Sequence, residues 1–212
     1  MKNVKFVTLA ATALISVGLL TACGSSDNGT TASSSSAPAT TESSAAKSDV
    51  TSGATVEATT DFATLQAAMS ATGEKASWIG AITADVDASG KTLTVDGHFA
   101  DPHGVDPARK LALYSQDADH KVTGRFTLTL DKLIVKSPGF YITNGTVKGD
   151  VYVEADGFHG QTSKGQAEGE GATIDGNLYF ATEAQKAEFE KTQADVATKV
   201  TVTGEIAVKA AQ

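Results

Sequence analysis

Residues 146–153 read TVKGDVYV, and residues 173–180 read TIDGNLYF. Three further stretches carry the same skeleton: LTVDGHFA (93–100), KVTGRFTL (121–128) and TVTGEIAV (201–208). Each has a β-branched residue, any residue, glycine, a polar residue and then an apolar one. The glycines are Gly97, Gly124, Gly149, Gly176 and Gly204, spaced by 27, 25, 27 and 28 residues. A nearly constant period in the range of about 20 to 50 residues marks a repeat architecture.

The phrase has the chemistry of a strand. Side chains alternate between faces, so Val147, Gly149, Val151 and Val153 share one side and Lys148, Asp150 and Tyr152 the other. The second copy repeats this, with Ile174, Gly176, Leu178 and Phe180 opposite Asp175, Asn177 and Tyr179. Between phrases, KLIVK (132–136) is closed by Ser137-Pro138-Gly139, and FYIT (140–143) by Asn144-Gly145. Two or three short strands separated by corners suit one rung of a β-solenoid. The expected fold is therefore mainly β: a short right-handed β-solenoid, or parallel β-helix, with flanking helices after a disordered linker. A β-sandwich is the competing arrangement. Stacking predicts an outward Tyr152–Tyr179 ladder and an inward Val151–Leu178 ladder.

A solenoid has strand edges at its ends that must be covered or paired. DFATLQAAMS (61–70) predicts a helix capped by Asp61, with Phe62, Leu65 and Met69 on one face. WIGAITADV, the turn Asp87-Ala88-Ser89-Gly90 and KTLTVDGHF read as a hairpin. Thr182 and Gln185 stand at capping-box spacing, which predicts a helix inserted near 182–198, before a last strand.

The phrases TVKGDVYV and TIDGNLYF, preceded by GFYITNG, resemble the rungs of bacterial polymer-forming, bactofilin-like β-helix proteins. The resemblance covers about residues 130–180 and implies stacked coils whose ends associate into filaments. This chain departs from it in its longer coils, its flanking helices and its export signal.

That signal is at the start of the chain. Lys2 and Lys5 precede an uncharged apolar run, VTLAATALISVGLL (7–20), too short for the ~20 residues that cross a bilayer. LTAC follows, ending at Cys23, the sole cysteine. LTAC resembles a bacterial lipobox, which implies cleavage after Ala22 and lipidation of Cys23 by acyl chains such as palmitate. The expected location is the extracytoplasmic side of the cell membrane, held by a lipid anchor. Loss of Lys2 and Lys5 with residues 1–22 takes the formal charge from −8 to −10, which argues against nucleic acid as a partner. Residues 23–58 form a lipid-anchored Ser/Thr/Ala-rich linker, and 59–212 the folded domain. From 24 to 58, 26 of 35 residues are Ser, Thr, Ala or Gly, too few apolar groups to offset ordering entropy.

Chemistry is less legible. Asp96, His98, Asp101, His103 and Asp106 lie within eleven residues, but their spacing fits no metal motif and Pro102, Gly104 and Pro107 mark a loop. No metal site is expected, and QDADH (116–120) reads as a polar turn. Asp150, Asp175 and Glu205 are expected in one column of the polar face, where a solvated surface is expected rather than catalysis. Tyr152 and Tyr179, taken as exposed, are candidates for stacking on cell-wall sugars. DVTSGAT (49–55) resembles the D-x-x-S-G-A-T sequence on which a flavin transferase attaches FMN in bacterial redox lipoproteins. That resemblance implies FMN on Thr55 and an extracytoplasmic electron carrier. Without it, no cofactor and no enzymatic activity are expected. The leading expectation is a structural or interaction module of the envelope, with self-association or a cell-wall polymer as partner.

Overall fold

A computed structural model describes residues 56–73, 76–162 and 171–211. They form a mainly β structure built on two parallel sheets. The first sheet runs β1 (Val56–Thr59), β2 (Ile79–Ile82), β4 (Arg109–Ala112), β8 (Phe140–Thr143) and β10 (His159–Gln161). The second runs β3 (Val86–Val95), β7 (Thr127–Val135) and β9 (Thr146–Val153), and then splits. Beyond β9 each layer is two short strands: β11 (Ala172–Asp175) with β12 (Leu178–Phe180), then β13 (Val200–Val202) with β14 (Ile206–Val208). The chain repeatedly adds a strand to the first sheet and then one to the second. Every ladder among the described residues is parallel except the hairpin of β5 (Tyr114–Gln116) and β6 (Val122–Arg125). The facing antiparallel sheets of a sandwich are therefore not what these strands make.

Register places like on like. Val86, Leu128, Val147, Ile174 and Val202 are successive partners. So are Leu93, Leu133, Val151, Leu178 and Ile206, and likewise Val95, Val135, Val153, Phe180 and Val208. Period-2 alternation turns these columns inward, where Leu111 and Ile142 of the first sheet join them in the core. Full burial of each such side chain is worth about 1.5–3 kcal/mol. Phe140, Phe158, Phe180 and Phe189 extend the core, with ring centroids 5.2–6.3 Å apart along the cluster.

The five glycines do not form one column. Partners in the Val86 column are 42, 19, 27 and 28 residues apart, so the even spacing of the phrases is partly coincidental. The hairpin lengthens the connection from β3 to β7, and the next, from β7 to β9, is short. Gly149, Gly176 and Gly204 do stack, but Gly97 packs against Ala71 and Phe99, and Gly124 lies in the hairpin. The stacked three share a physical reason. A Cβ on Gly176 would stand 2.2 Å from the Gly149 carbonyl oxygen, and one on Gly149 2.2 Å from that of Leu130. Backbone from the preceding layer occupies the space where a side chain would begin.

The two ends are finished differently. At the first, α1 (Phe62–Ala68) begins at Asp61, whose carboxylate accepts from the Thr64 amide at 2.8 Å. Leu65 and Met69 are fully buried, with Met69 and Leu65 filling the space beside Gly80. The segment expected as a hairpin is instead two strands in different sheets. Asp87 and Ser89 make a local turn contact, but β3 continues through it because Val86 and Ala88 pair with Leu128 and Leu130 of β7. At the other end, α2 (Glu183–Thr192) starts at Thr182, whose hydroxyl accepts from the Gln185 amide, and it buries Phe189.

Candidate functional site

The second sheet ends at β14, beyond which no described strand pairs. The inward columns terminate here in Val202, Ile206 and Val208, and the last two are each 37% exposed although their predecessors are buried. Glu205 contributes its carbonyl to the Leu178 amide (2.8 Å), and its own amide donates to Asn177 Oδ1 (2.9 Å). The Lys209 amide donates to the Phe180 carbonyl at 2.9 Å. Residues 205 and 209 thus turn their main-chain groups inward. Strand alternation aims those of Ile206 and Val208 outward, at the edge. The first sheet differs. Its β10 edge is covered by residues 197–198, whose carbonyls at Thr198 and Ala197 accept from the amides of Gly160 (2.9 Å) and Thr162 (2.8 Å).

Tyr152 and Tyr179 are register partners with ring centroids 5.0 Å apart, so the ladder forms. Their reading as exposed platforms is corrected: they are 5% and 7% exposed. Lys209 Nζ lies 4.7 Å from the Tyr179 centroid and Lys132 Nζ 5.8 Å from that of Tyr152, so cations occupy the faces a sugar would need.

The single acidic column is corrected: Asp150 and Glu205 flank Asn177 in one column, while Asp175 lies in the neighbouring one, opposite Lys148. The acids brace successive layers. Asp150 Oδ1 accepts from the Asn177 amide and from Asn177 Nδ2 (3.0 and 2.9 Å), and Asp175 Oδ1 from the Thr203 hydroxyl (3.1 Å). Of the histidine-rich loop, His98 meets the Asp106 carboxylate, whereas Asp101 accepts from the amides of His103 and Val105. Among the described residues no three His, Cys, Asp or Glu side chains gather as a metal site would require. Asp117 likewise closes the 116–120 turn by accepting from the amides of Asp119 and Lys121. Cys23 and Thr55 lie outside the described residues. No described helix is long and apolar enough to cross a membrane.

Arg109 escaped sequence reasoning and is fully buried. Its Nη2 donates to the carbonyls of Ala68 (2.7 Å) and Ser70 (3.1 Å), its Nη1 to that of Asp96 (2.9 Å), and its guanidinium stacks 3.6 Å from the Phe99 ring centroid. Burial pushes its pKa down to about 9, so it stays cationic at neutral pH. One side chain ties the C-terminal end of α1 to the end of β3. Tyr141, stacked on His159 on the first sheet, is pushed by burial up to about 12.

Two grooves flank the sheets. One, of about 230 Å³, lies between Ala81 and Ala112 of the first sheet and Tyr114 and Gln116 of the hairpin. The other, of about 210 Å³, lies beside Phe126, Thr127, Thr146 and Thr173. Both fall below the roughly 300–1,000 Å³ of typical ligand pockets. Comparison with protein families, with curated proteins and with solved structures returns no match.

Proposed function

We propose that this chain is a lipid-anchored, extracytoplasmic interaction module: acyl chains on Cys23, a Ser/Thr/Ala-rich linker, and a short right-handed β-solenoid that binds through its open end. Its role is structural rather than catalytic. The observation that carries the reading is the β13–β14 edge, where apolar core columns reach solvent at Ile206 and Val208 and no described strand pairs further. Such an edge recruits another polypeptide by strand addition, in which main-chain hydrogen bonds supply affinity and the exposed apolar positions supply selectivity. The parallel ladders and the repeated coil-by-coil visits to both sheets support the solenoid. The LTAC sequence supports the anchor, and an acidic chain suits attachment by lipid rather than by charge.

Amine-reactive crosslinking of the exported full-length chain on intact cells tests the edge. Ile206→Glu with Val208→Glu is expected to remove the crosslinked species, while Val105→Glu, on an exposed loop, leaves them in place. Identical crosslinks in all three would end the proposal. In the same cells Cys23→Ser is expected to release the chain from the membrane fraction, and continued membrane retention would remove the anchor from the reading.

A further inference from the structure

Resting on that reading of the edge, we infer that its occupant is a second copy of this chain, joined tail to tail about a two-fold axis at Ala207. The strand is self-complementary in that register. Antiparallel pairing of β14 with its copy, centred on Ala207, sets Ile206 opposite Val208 of the second copy and Glu205 opposite Lys209. The hydrogen-bonding parity agrees. Residues 205 and 209 are already bonded inward, so the outward groups belong to Ile206 and Val208. Those two residues become the hydrogen-bonded pairs, and Ala207 meets its copy at a non-hydrogen-bonded pair. Glu205 and Lys209 are both exposed and share the face of the sheet that carries Tyr179. Each acid therefore meets a base, twice by symmetry, and opposite charges placed across a strand pair are favourable. Ile206 and Val208, which end the core columns, gain apolar neighbours from the same columns of the copy.

The geometry points to a closed pair rather than a filament. An isologous contact uses the same surface on both chains and is satisfied by two. Growth in the other direction would use the first end, but there Val86, Leu93 and Val95 are already buried, so it lacks the exposed apolar positions that pairing at β14 would cover. The strip from Thr203 to Ala211 is short against the ~1,600 Å² of a standard interface, so pairing requires high local concentration. Two chains tethered to one membrane supply it.

Ala207→Cys in the exported full-length chain provides the test, with the parent chain, whose sole cysteine is Cys23, as background. Non-hydrogen-bonded partners have Cα atoms ~4.5 Å apart, within the range a disulfide spans. Under mild oxidant, Ala207→Cys is expected to form a homodisulfide about tenfold faster than Val105→Cys, as a held pair exceeds random collision. Adding Glu205→Lys or Lys209→Glu alone should abolish that advantage, and both together should restore it. Circular dichroism of each variant confirms that it folds. Equal rates at 207 and 105, or singles that the double does not rescue, would overturn the second copy as partner. A disulfide at 207 to a different protein would also overturn it while leaving the edge as a binding site. In the Glu205→Lys background, where the pair is broken, a thiol at 207 that small maleimides cannot reach would sink both readings.

Discussion

The two ends of the stack begin from the same problem and answer it oppositely. At the first end, the core columns finish under α1, with Leu65 and Met69 fully buried and Arg109 fastening three backbone carbonyls. At the last, the equivalent columns finish in Ile206 and Val208, partly in water. The helix near the second end packs against β12 and β14 and directs Phe189 toward Phe158 and Phe180, yet Ile206 and Val208 stay 37% exposed beside it. Both ends finish in strands beyond which no described strand pairs, so what separates them is burial: Val86, Leu93 and Val95 are buried at the first, whereas Ile206 and Val208 meet water at the last.

That contrast can be broken by substitution. The largest expected effect is at the closed end. Arg109→Ala leaves the carbonyls of Ala68, Ser70 and Asp96 without their donor and empties a buried volume, so a loss of about 3–5 kcal/mol is expected from urea unfolding. A loss under about 1 kcal/mol would mean the first end is not fastened by this residue. Next comes a matched pair within one column. Leu133→Ala, fully buried, should cost about 2–5 kcal/mol, whereas Ile206→Ala in the monomeric chain should cost well under half of that. Equal losses would show the last layer to be as enclosed as the middle. The smallest effect concerns the cap of α1. Hydrogen bonds from Thr64 lower the Asp61 pKa below its usual 3.8, so its contribution is present above that pH and lost as pH falls through the lowered value. The gap in urea midpoint between wild type and Asp61→Ala should therefore be wider at pH 6 than at pH 2.5. A gap independent of pH would leave the carboxylate with no part in the cap.

Much of the second sheet could be read from the letters. Alternation in TVKGDVYV and TIDGNLYF separates Val147, Val151 and Val153 from their polar neighbours because a strand has only two faces. The Asn144-Gly145 corner was equally legible, since both residues occupy positive φ. The glycine motif misled where it was shortest. LTVDGHFA and KVTGRFTL share its letters, but the register shifts below Gly149, where the backbone of Leu130, itself paired with Ala88, lies against it, and neither is glycine. Nor does alternation reveal what covers an outer face. Tyr152 and Tyr179 stand on the polar side, yet long lysines fold over them, burying stems while keeping their charges wet. Arg109 was hidden for a related reason: its three acceptors are main-chain carbonyls, which carry no sequence signature. The open edge depends on where α2 packs, a tertiary outcome that the capping pair Thr182 and Gln185 does not encode.

The β5–β6 hairpin leaves the stack after Leu113 and rejoins it at Phe126, whose amide donates to the Leu113 carbonyl at 2.9 Å. Departure and return are thus a single hydrogen bond apart, and the layers above and below continue across the gap. Foreign sequence spliced at that gate would hang beside the two sheets without altering their count of strands.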